Sequence, residues 1–351
     1  MYWLLLVLPL MVPFVAKYVF KRTYTYQEMA INCAVAIALT SVVYFAGLYR
    51  SMYDTEVLSG FVTEKTREWT SCEHSYKCRC RQVRSCSGSG KSKSCSYHEE
   101  CDTCYEHSND WDWDVKTTVG NHTINRVDRR GSIEPPRWTE VTVGEPAANT
   151  HMYTNYIKAV PDSLFAYNQN IMDKYKDQIP KYPDVYDYYK INRVLNFSGA
   201  DTGEWSDYLS QSLKSMGKEK QVNIIAILTD KPVDFADALF YSWAGGKKND
   251  VVMVYGVKEG VVEWFQSTSV GNGMNNQELH ITLRNESIGK AVDLELLKSQ
   301  VGIINAKFNR LPMEQFEYLK DQVEPPMWVL IMALLIGLGS SLGVAYIFAK
   351  D

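Results

Sequence analysis

"MAINCAVAIALTSVVYFAGLY", residues 29–49, carries no charged side chain over its whole length. About 20 apolar residues rising 1.5 Å each cover the roughly 30 Å of bilayer hydrocarbon. A buried helix of a soluble core is the competing reading, but such helices keep a polar face over this length. The stretch reads as a membrane span, and residues 327–349, "MWVLIMALLIGLGSSLGVAYIFA", read the same way. Nearer the N-terminus, "YWLLLVLPLMVPFVAKYVF" (2–20) is interrupted by Pro9, Pro13 and Lys17. A cleaved signal peptide competes here, yet no basic residue precedes the apolar run and "FVAKY" is a poor cleavage site. An uncleaved helix is the expectation, with Lys17 reaching toward the headgroups while Tyr18, Val19 and Phe20 finish the span.

Basic residues set the orientation. Lys17, Lys21 and Arg22 in the first short connection favour the cytoplasmic side, against the more dispersed Arg50, Lys65 and Arg67. The expected topology is a transmembrane hairpin (1–50), an extracytoplasmic region (about 51–325, facing periplasm, lumen or exterior) and a returning helix (327–349) with Lys350 inside. The spans hold small residues spaced by four, Ala30, Ala34 and Ala38 in the second and Gly339 and Gly343 in the third. Such faces pack helices, either within this chain's own bundle or against other membrane proteins or a second copy as a homo-oligomer. A net charge of −4 gives no sign of a nucleic-acid binder.

Residues 51–70 leave the membrane as a polar stretch of helical appearance. Next comes a segment with seven of the eight cysteines: Cys72, Cys78, Cys80, Cys86, Cys95, Cys101 and Cys104. Cys33, inside the second span, reads as a packing residue. Three chemistries compete for "RSCSGSGKSKSC" (84–95). A phosphate loop needs a glycine where Ser85 stands, a preceding buried strand and a following helix, and none is present. Zinc finds ligand-like spacing in Cys101-x2-Cys104, with Cys78-x-Cys80, His74, His98 and His107 as further donors, but no second such pair. Disulfides suit an extracytoplasmic compartment, and they would supply rigidity that few apolar residues here can. Six cysteines would form three bridges in one of fifteen connectivities, leaving one cysteine over.

Residues 105–160 read as a small β-rich unit, completing a segment 51–160. Asp110, Asp112 and Asp114 alternate with Trp111 and Trp113 as in an edge strand, and lack the glycine and glutamate of a calcium loop. A hairpin turns at Val119-Gly120-Asn121, and "RWTEVTVGE" reads as a further strand. Asn121, Asn196 and Asn285 stand in glycosylation sequons.

From about 185 the periodicity changes. "GEWSDYLSQSLKSMGKEK" is amphipathic, "VNIIAILTD" is a buried strand ending at Asp230, and "VDFADALFYSWAGG" is a helix stopped by Gly245-Gly246. "DVVMVYGV" and "VVEWFQSTSVG" are strands joined through Lys258-Glu259-Gly260, and "DLELLKSQVGIINAKFN" and "PMEQFEYLKDQV" are closing helices. This order argues for an α/β (α+β) domain at 161–325, a mixed sheet covered by helices.

The run "FYSWAGGKKNDVVMV" (240–254), with the strands on either side of it, resembles the signature of the TPM-domain family over roughly residues 190–310. The resemblance implies a membrane-tethered, outward-facing domain, from a family with roles in membrane-complex maintenance and receptor modulation and phosphatase activity in some members. Val251-Val252, Val261-Val262-Glu263 and Gly271-Asn272-Gly273 depart from the family pattern, so fold carries over more safely than activity. The layout is also similar to that of membrane proteins from bacteria and their tailed phages.

Strand ends of open α/β sheets bind ligands, which makes Asp230, Gly245, Gly246, Asn249 and Asp250 the candidate ligand-binding residues. The bland alternative is a helix stop whose Asn and Asp satisfy local backbone groups. No nucleophile elbow, HExxH motif or acid–base pair is legible. The function expected is a non-enzymatic, membrane-anchored interaction protein that needs no cofactor. A phosphatase-like hydrolase using Asp230 or Asp250 with a divalent cation is one alternative, and a metal or redox sensor on the cysteine segment is the other.

Overall fold

The computed structural model describes residues 2–19, 25–87, 94–160, 169–273 and 275–350. Lys21, Arg22, Lys91 and Lys93 and the expected domain boundary at 160/161 fall on or beside residues outside this set.

Pro9 and Pro13 lie within helix α1 (Tyr2–Val19). Helix α2 (Tyr26–Met52) begins at a capping box. Thr25 Oγ1 accepts from the Glu28 N–H at 3.2 Å, and the Glu28 carboxylate accepts from the Thr25 N–H at 2.8 Å. At Met52 the helix passes without a loop into strand β1 (Tyr53–Thr70), correcting the helical reading of 51–70. The strand was hidden because its buried positions include Asp54, Glu56 and Ser59 rather than an apolar period-two face.

Strands β2 (Ser75–Ser87) and β3 (Ser94–Tyr105) form an antiparallel arm, followed by β4 (Asp110–Thr117) and β5 (Gly120–Ile124). A short helix, α3 (Pro136–Glu140), replaces the strand expected in "RWTEVTVGE", because Pro135 and Pro136 start a turn instead of a ladder. The strand comes later, as β6 (Pro146–Thr154). The sheet order is β5-β4-β1-β6. The membrane-proximal half of β1, Tyr53–Phe61, pairs with β6, and its distal half, from Val62 to Thr70, pairs with β4. Strand β4 is therefore interior rather than an edge, and Val62, Trp113, Val115 and Ile124 make the small core beneath it.

Helix α4 (Gln169–Tyr175) and the short strands β7 (Val185–Tyr186) and β8 (Lys190–Ile191) lead into the second sheet. There follow β9 (Val194–Asn196), α5 (Trp205–Glu219), β10 (Asn223–Thr229), α6 (Asp234–Ser242), β11 (Asp250–Lys258), β12 (Val261–Ser269), a single turn α7 (Val270–Gly273), α8 (Gln277–Ser287) and α9 (Leu294–Lys307). The order is β12-β11-β10-β9, with β10 parallel to β9 and β11 and β12 antiparallel, giving the mixed sheet expected. Leu209, Leu213, Leu283, Leu297 and Ile304 from α5, α8 and α9 cover one face. Ala236, Leu239 and Trp243 from the α6 side cover the other, so β10 is buried at every position. Helix α8 has only Leu279 and Leu283 as buried apolar anchors, too sparse a stripe to announce it.

A 3₁₀ segment (Met313–Gln322) stands where a helix was expected, and α10 (Met327–Lys350) returns along α1 and α2. All three long helices are apolar and long enough to cross a membrane. Their shared seam is polar and small. Asn32, Ala36 and Thr40 of α2 face Ala333, Ser341 and Ala345 of α10, all buried, while a Cβ on Gly337 would collide with Thr40 Oγ1 and the Pro9 ring. Pro13 has no N–H to give the carbonyl four residues back, which is that of Pro9. Ser341 Oγ stands 2.9 Å from this carbonyl and 2.8 Å from Asn32 Oδ1, sharing one proton between them, and Asn32 Nδ2 donates to the Ser341 carbonyl at 3.1 Å. The anticipated small residues Ala30, Ala34, Ala38, Gly339 and Gly343 are exposed on the outside of the bundle instead.

Replacing Ser341 by Ala strips the Pro9 carbonyl of its donor inside hydrocarbon. A loss of about 1 kcal/mol is expected in SDS-titrated unfolding from mild-detergent micelles, and Gly337→Leu should cost more through overpacking.

Candidate functional site

The loop after α6 is built by backbone chemistry. Ala244, Gly245 and Gly246 have φ of 50°, 77° and 86°, the left-handed region that a glycine pair supplies cheaply. The turn aims the Lys247 N–H at Asp250 Oδ2, 2.7 Å away. Asp250 is fully buried at the start of β11. Its carboxylate also accepts from Asn223 Nδ2 at 2.9 Å and from the Tyr182 hydroxyl at 2.9 and 3.1 Å. Burial is the strongest influence and raises its pKa, opposed by these donors. Arg193, also buried, donates to Asn223 Oδ1 at 2.9 Å and to Ser59 Oγ at 2.7 Å. Burial pushes its guanidinium down to about 10, so it stays charged at neutral pH.

The same loop reaches across to β1. Lys247 Nζ meets Asp54 Oδ1 at 2.6 Å, Asn249 Nδ2 donates to the Val57 carbonyl at 2.7 Å, and the Lys248 N–H donates to the Tyr153 hydroxyl at 3.1 Å. Nearby, Arg310 holds both oxygens of buried Glu56 at 2.6 and 2.7 Å. Burial pushes the Asp54 carboxyl up, but Lys247, Asn155 and Lys158 outweigh it and hold the group below the ordinary carboxylate range. The predicted residues Gly245, Gly246, Asn249 and Asp250 thus come together where the α/β domain is fastened to the strand leaving the membrane. Asp230 does not join them. In the parallel pairing Asn223 is opposite Asp250 and Thr229 opposite Gly256, so Asp230 sits at the other end of the strand, roughly 20 Å away. A cleft of about 410 Å³ beside the loop is lined by Asp54, Lys158, Lys181, Tyr182, Trp243 and Lys247. Asp54 within it is already ion-paired, so the surface left to a ligand is cationic.

The cysteine segment resolves as follows. Bridges join Cys78 to Cys104, Cys80 to Cys101 and Cys86 to Cys95, as rungs of the β2–β3 arm. The expected three bridges with one of the seven cysteines left over are present, and the alternative zinc set is not. Cys101 and Cys104 are spent in bridges and do not join His98 and His107 as metal ligands, and His98 lies along β3 opposite Val83. The disulfide candidate left over is Cys72, which is unbonded and buried; it precedes β2 and lies beyond the reach of the rungs. It meets His74, His107 and Asp110 at the root of the arm. The spacings Cys72-x-His74 and His107-x2-Asp110 were the only sequence signal of this group, and neither is a familiar zinc signature.

His280 stands between two hydroxyls, Ser267 Oγ 2.7 Å from Nδ1 and Ser269 Oγ 3.0 Å from Nε2, and burial lowers it to about 4. The folded state therefore binds fewer protons than the unfolded chain between pH 6.5 and 4, so stability falls as pH drops through that window, by about 2–3 kcal/mol at its acid end. Chemical denaturation at stepped pH should show this slope, and His280→Gln should flatten it. Asp54 acts in the same direction but lower, below the ordinary carboxylate value.

Lys247→Met removes the main partner of a buried carboxylate, and a loss of about 3 kcal/mol is expected in the same denaturation assay. Adding Asp54→Asn should restore most of it, since the uncompensated charge is then gone.

No protein-family model, curated protein or solved structure matches this chain.

Proposed function

We propose that the protein is a membrane-anchored, extracytoplasmic interaction module that presents its stapled arm to another membrane protein and performs no catalysis. The observation that carries this reading is the arm itself. Nearly every described residue of β2 and β3 is exposed or half-exposed on both faces, so the arm has no core of its own, and three disulfides hold it rigid. A segment that gains nothing from burial yet is fixed in shape suits recognition, since ordering on binding costs little. Disulfides also persist in oxidising compartments, which supports an outward-facing region between the spans. The arm carries Lys77, Arg79, Arg81 and Arg84 on one strand and Glu99, Glu100 and Asp102 on the other, a two-signed surface able to set register with a partner.

The α/β domain is TPM-like in this reading. Its helix–strand–helix–strand–hairpin order and the helix stop at Gly245-Gly246 support that assignment. Here the family's loop serves as the fastening to β1, in keeping with a modulator rather than an enzyme. The outward small residues of α2 and α10 support a partner within the same bilayer.

Replacing residues 76–104 by a short turn between the paired Ser75 and Tyr105 tests the reading. The shortened chain should insert and keep the unfolding profile of the α/β domain. On native gels of mildly solubilised host membranes it should lose the higher-mass species that the full chain forms. Identical complexes with and without the arm would overturn the proposal.

A further inference from the structure

The root of the arm is where two ladders fail to meet. The β1–β4 pairing ends at Thr70 and Asp110, and the β2–β3 pairing begins at Ser75 and Tyr105. The residues between, 71–74 on the way out and 106–109 on the way back, hold almost no ladder of their own; one bond links them, from the Glu106 N–H to the His74 carbonyl at 3.0 Å. Into this gap converge Cys72 Sγ, His74 Nδ1, His107 Nδ1 and an Asp110 carboxylate oxygen, all within 4.8 Å of one another.

We infer that this group binds a single divalent transition-metal ion of the zinc type. A tetrahedral ion with bonds of about 2.0 Å to nitrogen or oxygen and 2.3 Å to sulfur spaces its ligands about 3.3 Å apart for N–O edges and about 3.6 Å for N–S edges. Asp110 Oδ1 lies 3.2 Å from His107 Nδ1, and the other oxygen, Oδ2, lies 3.4 Å from His74 Nδ1. Cys72 Sγ lies 3.7 Å from His107 Nδ1 and 4.0 Å from His74 Nδ1. Three edges of the coordination tetrahedron are therefore within a few tenths of an ångström of closure. The donor set is one thiolate, two imidazoles and one carboxylate, whose two negative charges neutralise a divalent ion. Four protein ligands make a closed, structural site rather than a catalytic one.

The surroundings fit as well. Asp110 has no exposed surface, and its Oδ2 is braced by Arg126 Nη1 at 3.1 Å and the Glu73 N–H at 3.2 Å, leaving Oδ1 toward the centre. Such outer hydrogen bonds orient a ligating carboxylate. Arg126 is itself anchored to Asp112 at 2.6 Å. The imidazoles, with side chains 25 % and 26 % exposed, leave an entry path from one side. Bound there, the ion cross-links the outgoing and returning chains at a place where the backbone ladder lapses. It fixes the angle at which the arm leaves the sheet, and Cys72 stays out of disulfide exchange.

Full-length protein purified in detergent with zinc, then desalted, is assayed by elemental mass spectrometry and by cobalt(II) substitution. A single ion per chain is expected, with the intense near-ultraviolet thiolate-to-cobalt band and the visible bands of a tetrahedral site. Cys72→Ser should abolish the thiolate band, and His74→Ala and Asp110→Asn should each weaken zinc at least tenfold, while all three melt like the metal-free parent. Background metal content with no cobalt–thiolate band in the parent overturns the inference, as does Cys72 recovered in a disulfide by mass mapping of non-reduced protein. Unchanged cobalt spectra in Cys72→Ser and Asp110→Asn also overturn it, because the ion would then lie elsewhere. Each readout is independent of whether the arm engages a partner.

Discussion

The pairing of Asp54 with Lys247 ties the strand that continues helix α2 to the larger α/β domain. Asp54 lies two residues beyond the end of α2 and Lys247 sits on the loop that starts β11, so the ion pair links the end of a long apolar helix directly to the second sheet. Burying charges is costly unless each lone pair and proton is used. Around Asp54 they are used, by Asn155 at 2.9 Å and Tyr153 at 3.3 Å. Glu56 and Arg310 repeat the arrangement one strand period further on. Hydrophobic contact would have held these parts together as firmly, but without fixing one orientation. The close approach of Gly217 in α5 to the Ser59 carbonyl, where no Cβ fits, needs that orientation.

Much of the fold was legible because it is apolar in the ordinary ways. The three spans, the β10 and β11 runs and the amphipathic α5 all announce themselves by length or period. What escaped did so for physical reasons. Strand β1 turns carboxylates inward, so its alternation carries no hydrophobic signal. The arm has no inside, so "CRCRQVR" reads as anything but a strand until cross-links supply the reason for its shape. Helix α3 opens on Pro136 directly after Pro135 in a sequence otherwise rich in β-formers, and local backbone restriction outweighs propensity there.

The site followed the same division. Gly245-Gly246 and Asp250 were identifiable as a turn and a strand start, yet only the tertiary pairing shows that Asp250 faces Asn223 and Tyr182 while Asp230 is at the far end. Counting cysteines left one over, and composition has no means of saying which. Cys72 is distinguished by position alone, lying before the first rung with the His74 imidazole beside it and that of His107 folded back from 35 residues later.

The Pro9–Ser341 contact has a consequence for how this chain is made. Helix α1 leaves the ribosome early with a carbonyl that its own Pro13 cannot satisfy, and Asn32 follows with an amide that lipid cannot solvate. Both find their partner on the last helix, 332 and 309 residues downstream. Without α10, the first two helices leave the Pro9 carbonyl and the Asn32 amide without the partners that Ser341 supplies. The membrane domain is thus completed in reverse order of importance to its anchor, with the C-terminal span acting as the closing strut. A chain interrupted before α10 would therefore carry unpaired polar groups inside its apolar helices.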